Sequence, residues 1–364
     1  MEEEKPKPTE DARYKRIDIH YTLNPDGTVD YSYSHELDLY SNLAFRRLYG
    51  ESFIVYDPRH QELDILRSVT TTATGKQVPS PENAYNEVLP RFAQGAPPYA
   101  HLREMVVSHT GLGPQSHISF AYTLQSDSTV YPFFNGKIDL LRTAPTDELH
   151  ITITFPETRS VSYRIFNHNA DRKKSSAKGW QSYSWTFKNL PARTHEAHQP
   201  ESPAYKPFLC FSEAGYMMMT GLYKKTIHTD MPAPLRQRVD KLVEGAKSSL
   251  DTVQKVLQVV AEEIALYPIP QAYHPYELQS NSEIWKSNGA TPIEKVQLLA
   301  AALNYAGVEA IPVLLLHEDL SIPELACPQL AEQTGVKIKI PELGRIILDP
   351  TRAQLEDIQV HYPG

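Results

Sequence analysis

The stretch Thr291-Pro292-Ile293-Glu294-Lys295-Val296-Gln297-Leu298-Leu299-Ala300-Ala301-Ala302-Leu303-Asn304-Tyr305-Ala306-Gly307 decides the fold of the second part of the chain. Thr291 and Glu294 have capping-box spacing, and Pro292 takes the first helical position, where a missing N–H costs nothing. Ile293, Val296, Leu299, Leu303 and Ala306 recur at helical spacing and mark the buried face. Gly307 supplies the stop. Residues 308–316 are apolar and rich in β-branched side chains, as a buried strand requires. A loop with Cys327 follows, then strands over 336–340 and 345–348, with a turn at 341–344 and an ending in Asp349-Pro350-Thr351. One helix followed by three strands predicts an α+β domain.

Upstream, Val253, Val256, Leu257, Val260 and Ile264 form the apolar stripe of another helix. Leu235, Val239, Leu242 and Val243 form that of a helix before it, opened by Met231-Pro232-Ala233-Pro234. The period changes there, so a domain boundary is expected near residue 230. Before it, Ile17-Asp18-Ile19-His20-Tyr21-Thr22-Leu23 alternates with period two, Asn24-Pro25-Asp26-Gly27 turns the chain, and residues 29–39 alternate again. This is a β-hairpin. The same pattern recurs at 62–69, 105–108, 117–124, 150–155, 160–166 and 182–187. Many strands with little helix between them predict an all-β sandwich. The aromatics Tyr31, Tyr33, Tyr122, Trp180, Tyr183 and Trp185 in these strands are read as core and cross-strand packing, or as a platform for sugars. Met217-Met218-Met219, in the apolar stretch 205–222, is read as packing against a neighbouring sheet. The basic residues Arg172, Lys173, Lys174 and Lys178 are read as a solvated hairpin tip. The expected plan is multidomain: a disordered leader over 1–13, a β-sandwich over 14–230 and an α+β domain over 231–364.

Composition narrows the function. The 364 residues carry 36 Lys+Arg against 44 Asp+Glu, and both parts of the chain are net acidic, so neither offers the basic face that nucleic acid needs. No run approaches the roughly 18 apolar residues of a membrane span. The polar, Pro-rich start is not a signal peptide; it reads as a leader or as a start that replaces an export signal. The ending at Gly364 reads as that of a piece of a longer protein. Two cysteines, Cys210 and Cys327, exclude a disulfide scaffold and a four-thiolate zinc site. His195 and His198 are spaced i, i+3 rather than i, i+4 and lie between prolines, which reads as a linker rather than a metal site. No metal and no cofactor is expected.

The second domain resembles the transglutaminase-like fold, shared with papain-type cysteine proteases. The resemblance rests on the 291–306 helix with Gly307-Val308-Glu309-Ala310, on the approach Tyr276-Glu277-Leu278 through Ile284-Trp285-Lys286-Ser287-Asn288-Gly289, and on Leu348-Asp349-Pro350-Thr351. In the first domain, Asn86-Glu87-Val88-Leu89-Pro90 and the run from Tyr99 to Val107 resemble an uncharacterised β-rich domain. That domain precedes such cores in bacterial cell-envelope proteins. The resemblance therefore implies a periplasmic or envelope location, which the sequence by itself leaves open.

The family's chemistry needs a cysteine at a helix N-terminus, a histidine on a neighbouring strand and an acid that orients it. Here the nucleophile's station reads Gly289-Ala290-Thr291-Pro292, without a cysteine, and 335–340 holds no histidine. Of the triad only Asp349 remains, so Thr291, Pro292 and Asp349 are vestigial positions and no catalytic residue is assigned. A Thr291 hydroxyl nucleophile is disfavoured, because an N-cap oxygen is engaged by backbone N–H groups. Cys210, among aromatics, reads as a buried structural thiol. A Cys327–His317–Asp349 site would require a rearranged topology. The preferred expectation is a non-catalytic envelope protein whose old cleft, floored by Trp285, Thr291, His317 and Asp349, binds a peptide or glycan. The alternatives are an active cysteine transglutaminase or protease using Cys327, and a carbohydrate-binding β-sandwich.

Overall fold

Period-two alternation in the first part becomes a set of long strands. The computed structural model describes residues 10–193, 203–273 and 276–353. In chain order the first strands are β1 (Ala12–Leu23), β2 (Val29–Leu39), β3 (Glu51–Tyr56), β4 (Gln61–Thr71), β5 (Gln77–Pro79), β6 (Tyr85–Val88) and β7 (Arg103–Ser108). They continue with β8 (Ser116–Ser126), β9 (Asn135–Asp139), β10 (Thr146–Pro156), β11 (Ser162–Phe166), β12 (Lys173–Ala177), β13 (Trp180–Leu190) and β14 (Phe208–Ser212). Eight of them form one sheet in the order β12-β13-β10-β1-β2-β8-β4-β5, antiparallel except for the β1–β10 pair. The β1–β2 hairpin closes at the expected turn, where the Gly27 N–H donates to the Asn24 carbonyl.

Alternation sets which face is buried. Along β10, Leu149, Ile151, Ile153 and Phe155 are buried while the residues between them are half-buried. Their face shares one core with Ile17 and Ile19 of β1 and with Trp185 and Phe187 of β13. The same core takes in Ile138, Leu209 and Phe211 of the small sheet β11-β14-β9, and Ile54 and Val107 of the sheet β3-β7-β6. Each such side chain contributes roughly 1.5–3 kcal/mol by leaving water.

Two local readings are corrected. The basic loop is not only a hairpin tip: Lys173 and Lys174 lie in β12, paired with β13, and the turn sits at Lys178-Gly179. The methionines do not pack on a sheet as a group. They open the helix α1 (Tyr216–Thr226), in which Met219 is buried but Met217 is 93% exposed.

The second part holds α1, α2 (Ala233–Glu244), α3 (Ser249–Glu263), β15 (Ala265–Leu266), α4 (Asn281–Ser287) and β16 (Gly289–Ala290). It then runs through α5 (Pro292–Tyr305), β17 (Ala310–Leu315), β18 (Gln333–Ile340) and β19 (Gly344–Leu348). The last three form an antiparallel sheet in chain order, which leaves β17 at an edge. Val253, Val256, Leu257 and Val260 of α3 share a core with Val296, Leu299 and Leu303 of α5 and with Val336, Ile338 and Leu348 of the sheet. Gly307, at φ +83°, ends α5 in the left-handed conformation its role demands. The expected single buried stripe on α5 is an underestimate: every residue from Ile293 to Leu303 is buried. Among the described residues no helix is long and apolar enough to cross a membrane.

By its contacts the chain divides into two units, each built from separate pieces. The first comprises 1–90, 101–215 and 324–327, and the second 91–100, 216–323 and 328–364. His195 and His198 lie outside the described residues.

The parallel pair β15–β16 delivers the chain to α5, and it depends on Gly289. A methyl group there would sit 2.1 Å from Cζ of Tyr267. Replacing Gly289 by alanine is therefore expected to cost about 1–3 kcal/mol by overpacking. Chemical denaturation of the variant checks this, and an unchanged midpoint would contradict the packing described.

Candidate functional site

The N-terminus of α5 is where the resemblance drawn from the sequence expects a nucleophile. Pro292 begins the helix without an N–H, and Thr291, at its N-cap, is fully buried. The Thr291 backbone N–H donates to Oε2 of Glu294 at 2.8 Å, and its hydroxyl donates to the same oxygen at 3.0 Å. Glu294 has no exposed surface. Its carboxylate also accepts from the Gln279 backbone N–H (2.8 Å), the Gln279 side-chain amide (3.1 Å) and the Tyr99 hydroxyl (2.7 Å). A buried carboxylate is tolerated only when donors surround it, and here they come from three segments. Burial, then the adjacent Glu294 charge, holds the Tyr99 phenol well above its ordinary range, so it remains a donor.

Lys295, the next residue, is 2% exposed. Its ammonium donates to the Ala261 carbonyl at 3.0 Å. Burial pulls its pKa down from 10.5 to about 8, against the opposing charge of Asp349. Asp349, expected from the sequence as part of a triad, thus lies within electrostatic reach of Lys295. Asp349 itself closes a local turn, accepting from the Thr351 N–H at 2.9 Å and the Thr351 hydroxyl at 2.6 Å.

The other expected residues have separate settings. Trp285 on α4 is half-buried against the core of the second unit. His317 precedes a 3₁₀ turn, and its Nδ1 accepts from the Asp319 N–H at 3.3 Å. Cys210 and Cys327 are buried, reduced thiols, hydrogen-bonded to one another. Both group with the first unit, whereas α5, His317 and Asp349 group with the second. Burial, then the bond to Cys327, pushes the Cys210 thiol well above its ordinary range.

Each unit has a concavity among its described residues. The second unit has a half-open, largely apolar groove of about 410 Å³, at the lower end of the size of small-ligand pockets. Met219 and Tyr223 of α1, Ile293 and Val296 of α5, and Ile311 and Val313 of edge strand β17 line it. Trp285, Thr291, His317 and Asp349 are not among its lining residues. In the first unit, Tyr14, Tyr33, His35, Tyr49, His109 and Tyr122 line a cavity of about 270 Å³. Burial pushes His35 down to about 3 and His109 to about 4, so both imidazoles are neutral. Tyr99, Gln279 and Lys295 escaped the sequence reading, and Glu294 entered it only as a capping residue. A fully polar pair, Glu294-Lys295, inside a helix otherwise suited to burial was the available signal.

Comparison with known proteins agrees with a β-rich part followed by a mixed α/β part. The model of a family described as a domain of unknown function, DUF3857, matches residues 25–194. The crystal structure of a protein from Parabacteroides distasonis, described as "a putative protease", superposes with a TM-score of 0.87 and 29% identity. The match covers 93% of this chain and 67% of that one. A mutant M1 zinc metallopeptidase from Deinococcus radiodurans aligns over 55% of this chain and 42% of its own, with 11% identity and a TM-score of 0.28, too slight a likeness to carry an argument. No curated protein matches the chain.

The glutamate cage makes two predictions. Tyr99→Phe and Glu294→Gln should each cost about 1–3 kcal/mol, and the double variant less than their sum. Urea titrations of the three variants measure this; full additivity would remove the pair. Lys295 gives a pH signature. Its folded pKa lies below its unfolded one, so the buried ammonium costs on the order of 3 kcal/mol below about pH 8, a penalty relieved as pH rises toward 10.5. The stability of Lys295→Met relative to wild type should therefore be more favourable at pH 7 than at pH 10.

Proposed function

We propose that this protein is a non-catalytic cell-envelope binding protein, in which a degenerate transglutaminase-like domain holds an extended peptide. One observation carries the reading. Where a catalytic thiol would need the N-terminus of α5, Thr291 and Pro292 stand instead, and Thr291 is bonded to buried Glu294. Both of the chain's thiols group with the other unit. The order of parts supports the family assignment: a DUF3857 match, then the helix and three-stranded sheet of the second unit. The similarity to the Parabacteroides protein supports an ancestry among peptide-handling proteins.

Peptide is preferred over glycan as the ligand because the groove is apolar and flanked by an edge of β17, which pairs only with β18 among the described residues. An edge strand offers backbone N–H and C=O groups to an added strand, and an adjacent pocket takes its alternate side chains. Pro312 limits the pairing to part of the edge. A second reading, a sugar site in the β-rich unit, rests on the tyrosine- and histidine-lined cavity.

Two experiments decide. Iodoacetamide applied to the reduced native protein at neutral pH should label neither cysteine until denaturant is added; rapid labelling of Cys327 would restore the enzyme reading. A displayed library of random peptides should yield ligands whose affinity falls at least about tenfold in Ile311→Glu, on an exposed position of β17. Ligands that are glycans, bind Ile311→Glu unchanged and are lost in Tyr33→Ala would place the site in the first unit.

A further inference from the structure

The two cysteines stand far apart in sequence, in segments of different character. Cys210 is the central residue of β14, paired with Lys137 of β9 and Arg164 of β11. Cys327 lies in a loop more than a hundred residues later, yet the two thiols hydrogen-bond to each other. The loop is held there by more than sulfur. The Ala326 N–H donates to the Ala214 carbonyl at 2.9 Å, just beyond the end of β14. Leu325, Ala326 and Cys327 are fully buried, and Tyr21 and Tyr131 lie within electrostatic reach of the Cys327 sulfur. The short piece Glu324–Cys327 groups with the first unit although the residues on both sides of it group with the second.

Buried thiols in mutual contact need no rearrangement of distant chain to be joined, and no third cysteine can compete. We propose that Cys210 and Cys327 are the two halves of a reversible disulfide that staples the Glu324–Cys327 segment to β14. The oxidant is a disulfide of the exchange class, either a small one such as oxidised glutathione or a protein dithiol oxidant. One cysteine, as thiolate, attacks a sulfur of that disulfide. A mixed disulfide forms, and the first leaving thiolate takes up the proton the cysteine lost. The second cysteine then attacks the protein sulfur of the mixed disulfide, closing the Cys210–Cys327 bond and releasing the second thiol. Two electrons pass from the cysteines to the oxidant, and the two protons end on its thiols. Both sulfurs are buried, so the first attack waits on local opening of the loop. The product closes a long loop, which restricts the unfolded chain and raises stability.

The test uses the full chain, reduced, freed of reductant and incubated with oxidised glutathione, both in the native state and during refolding. The expected result is a monomer lighter by two hydrogens in intact mass, with no thiol alkylated after unfolding. Its Tm should rise by several degrees and return on addition of dithiothreitol. Cys210→Ser and Cys327→Ser should end as a glutathione adduct or a reduced thiol, with no rise in Tm. The proposal is overturned if the wild type keeps two alkylatable thiols in both arms, or carries two glutathione adducts. It is equally overturned if the cross-links join separate chains. The wild-type mass decides the matter even if a serine variant fails to fold. None of these outcomes bears on peptide binding in the other unit.

Discussion

A carboxylate without solvent governs the arrangement of the second unit. Glu294 on α5 is fully enclosed, and an ionised group in such a place costs several kcal/mol unless donors replace its water. Those donors are the N-cap of its own helix, the backbone and amide of Gln279, and the Tyr99 hydroxyl. Each fixes a separate piece of chain. The bond to Thr291 sets how the chain enters α5, the bonds to Gln279 seat the approach to α4, and the bond from Tyr99 ties in the segment Arg91–Ala100. Gln297, one turn further on, extends the network by donating to the Gln279 carbonyl and accepting from the His228 N–H. Proximity to the positive end of the helix dipole adds to the stabilisation.

The same terminus would be the activating environment of a thiolate, so structural and chemical use of it compete. Here the orphan N–H of the N-cap is spent on a carboxylate from within the helix, and the next position is a proline that has none to offer. The acid left at the end of β19 acts on Lys295 through space and closes its own turn through Thr351. Thr291 and Asp349 are thus each held by contacts with a structural purpose of their own.

Local pattern revealed much of this chain. The β1–β2 hairpin followed from alternation and a turn at Asn24–Gly27, and α5 followed from Thr291, Pro292, Glu294 and Gly307. These signals are short-range, and short-range physics sets them. Three features were not legible for the opposite reason. Met217 to Met219 have the composition of a strand, and only the structure shows them opening α1 with Met217 in water. The burial of Glu294, Lys295 and Gln297 depends on partners at positions 99, 279 and 261, which no helical period can announce. The pairing of Cys210 with Cys327 likewise arises from a loop returning to a distant strand. Among the expected cleft residues, Thr291 and Asp349 proved to be engaged in their own caps and turns.

The interleaving of the two units along the chain also imposes an order of events on synthesis. A chain that has been made as far as residue 215 has every strand of the first unit and lacks only the loop piece Glu324–Cys327, which is bonded just beyond the end of β14. Translation at roughly 5–20 residues per second means that this place stays open for on the order of ten seconds while the α/β part is produced. During that interval the unit lacks the buried residues Leu325, Ala326 and Cys327 that later pack beside β14, and it waits incompletely closed. The last segment to join the first unit therefore acts as a latch on its folding, and the chain cannot be read as two beads made one after the other.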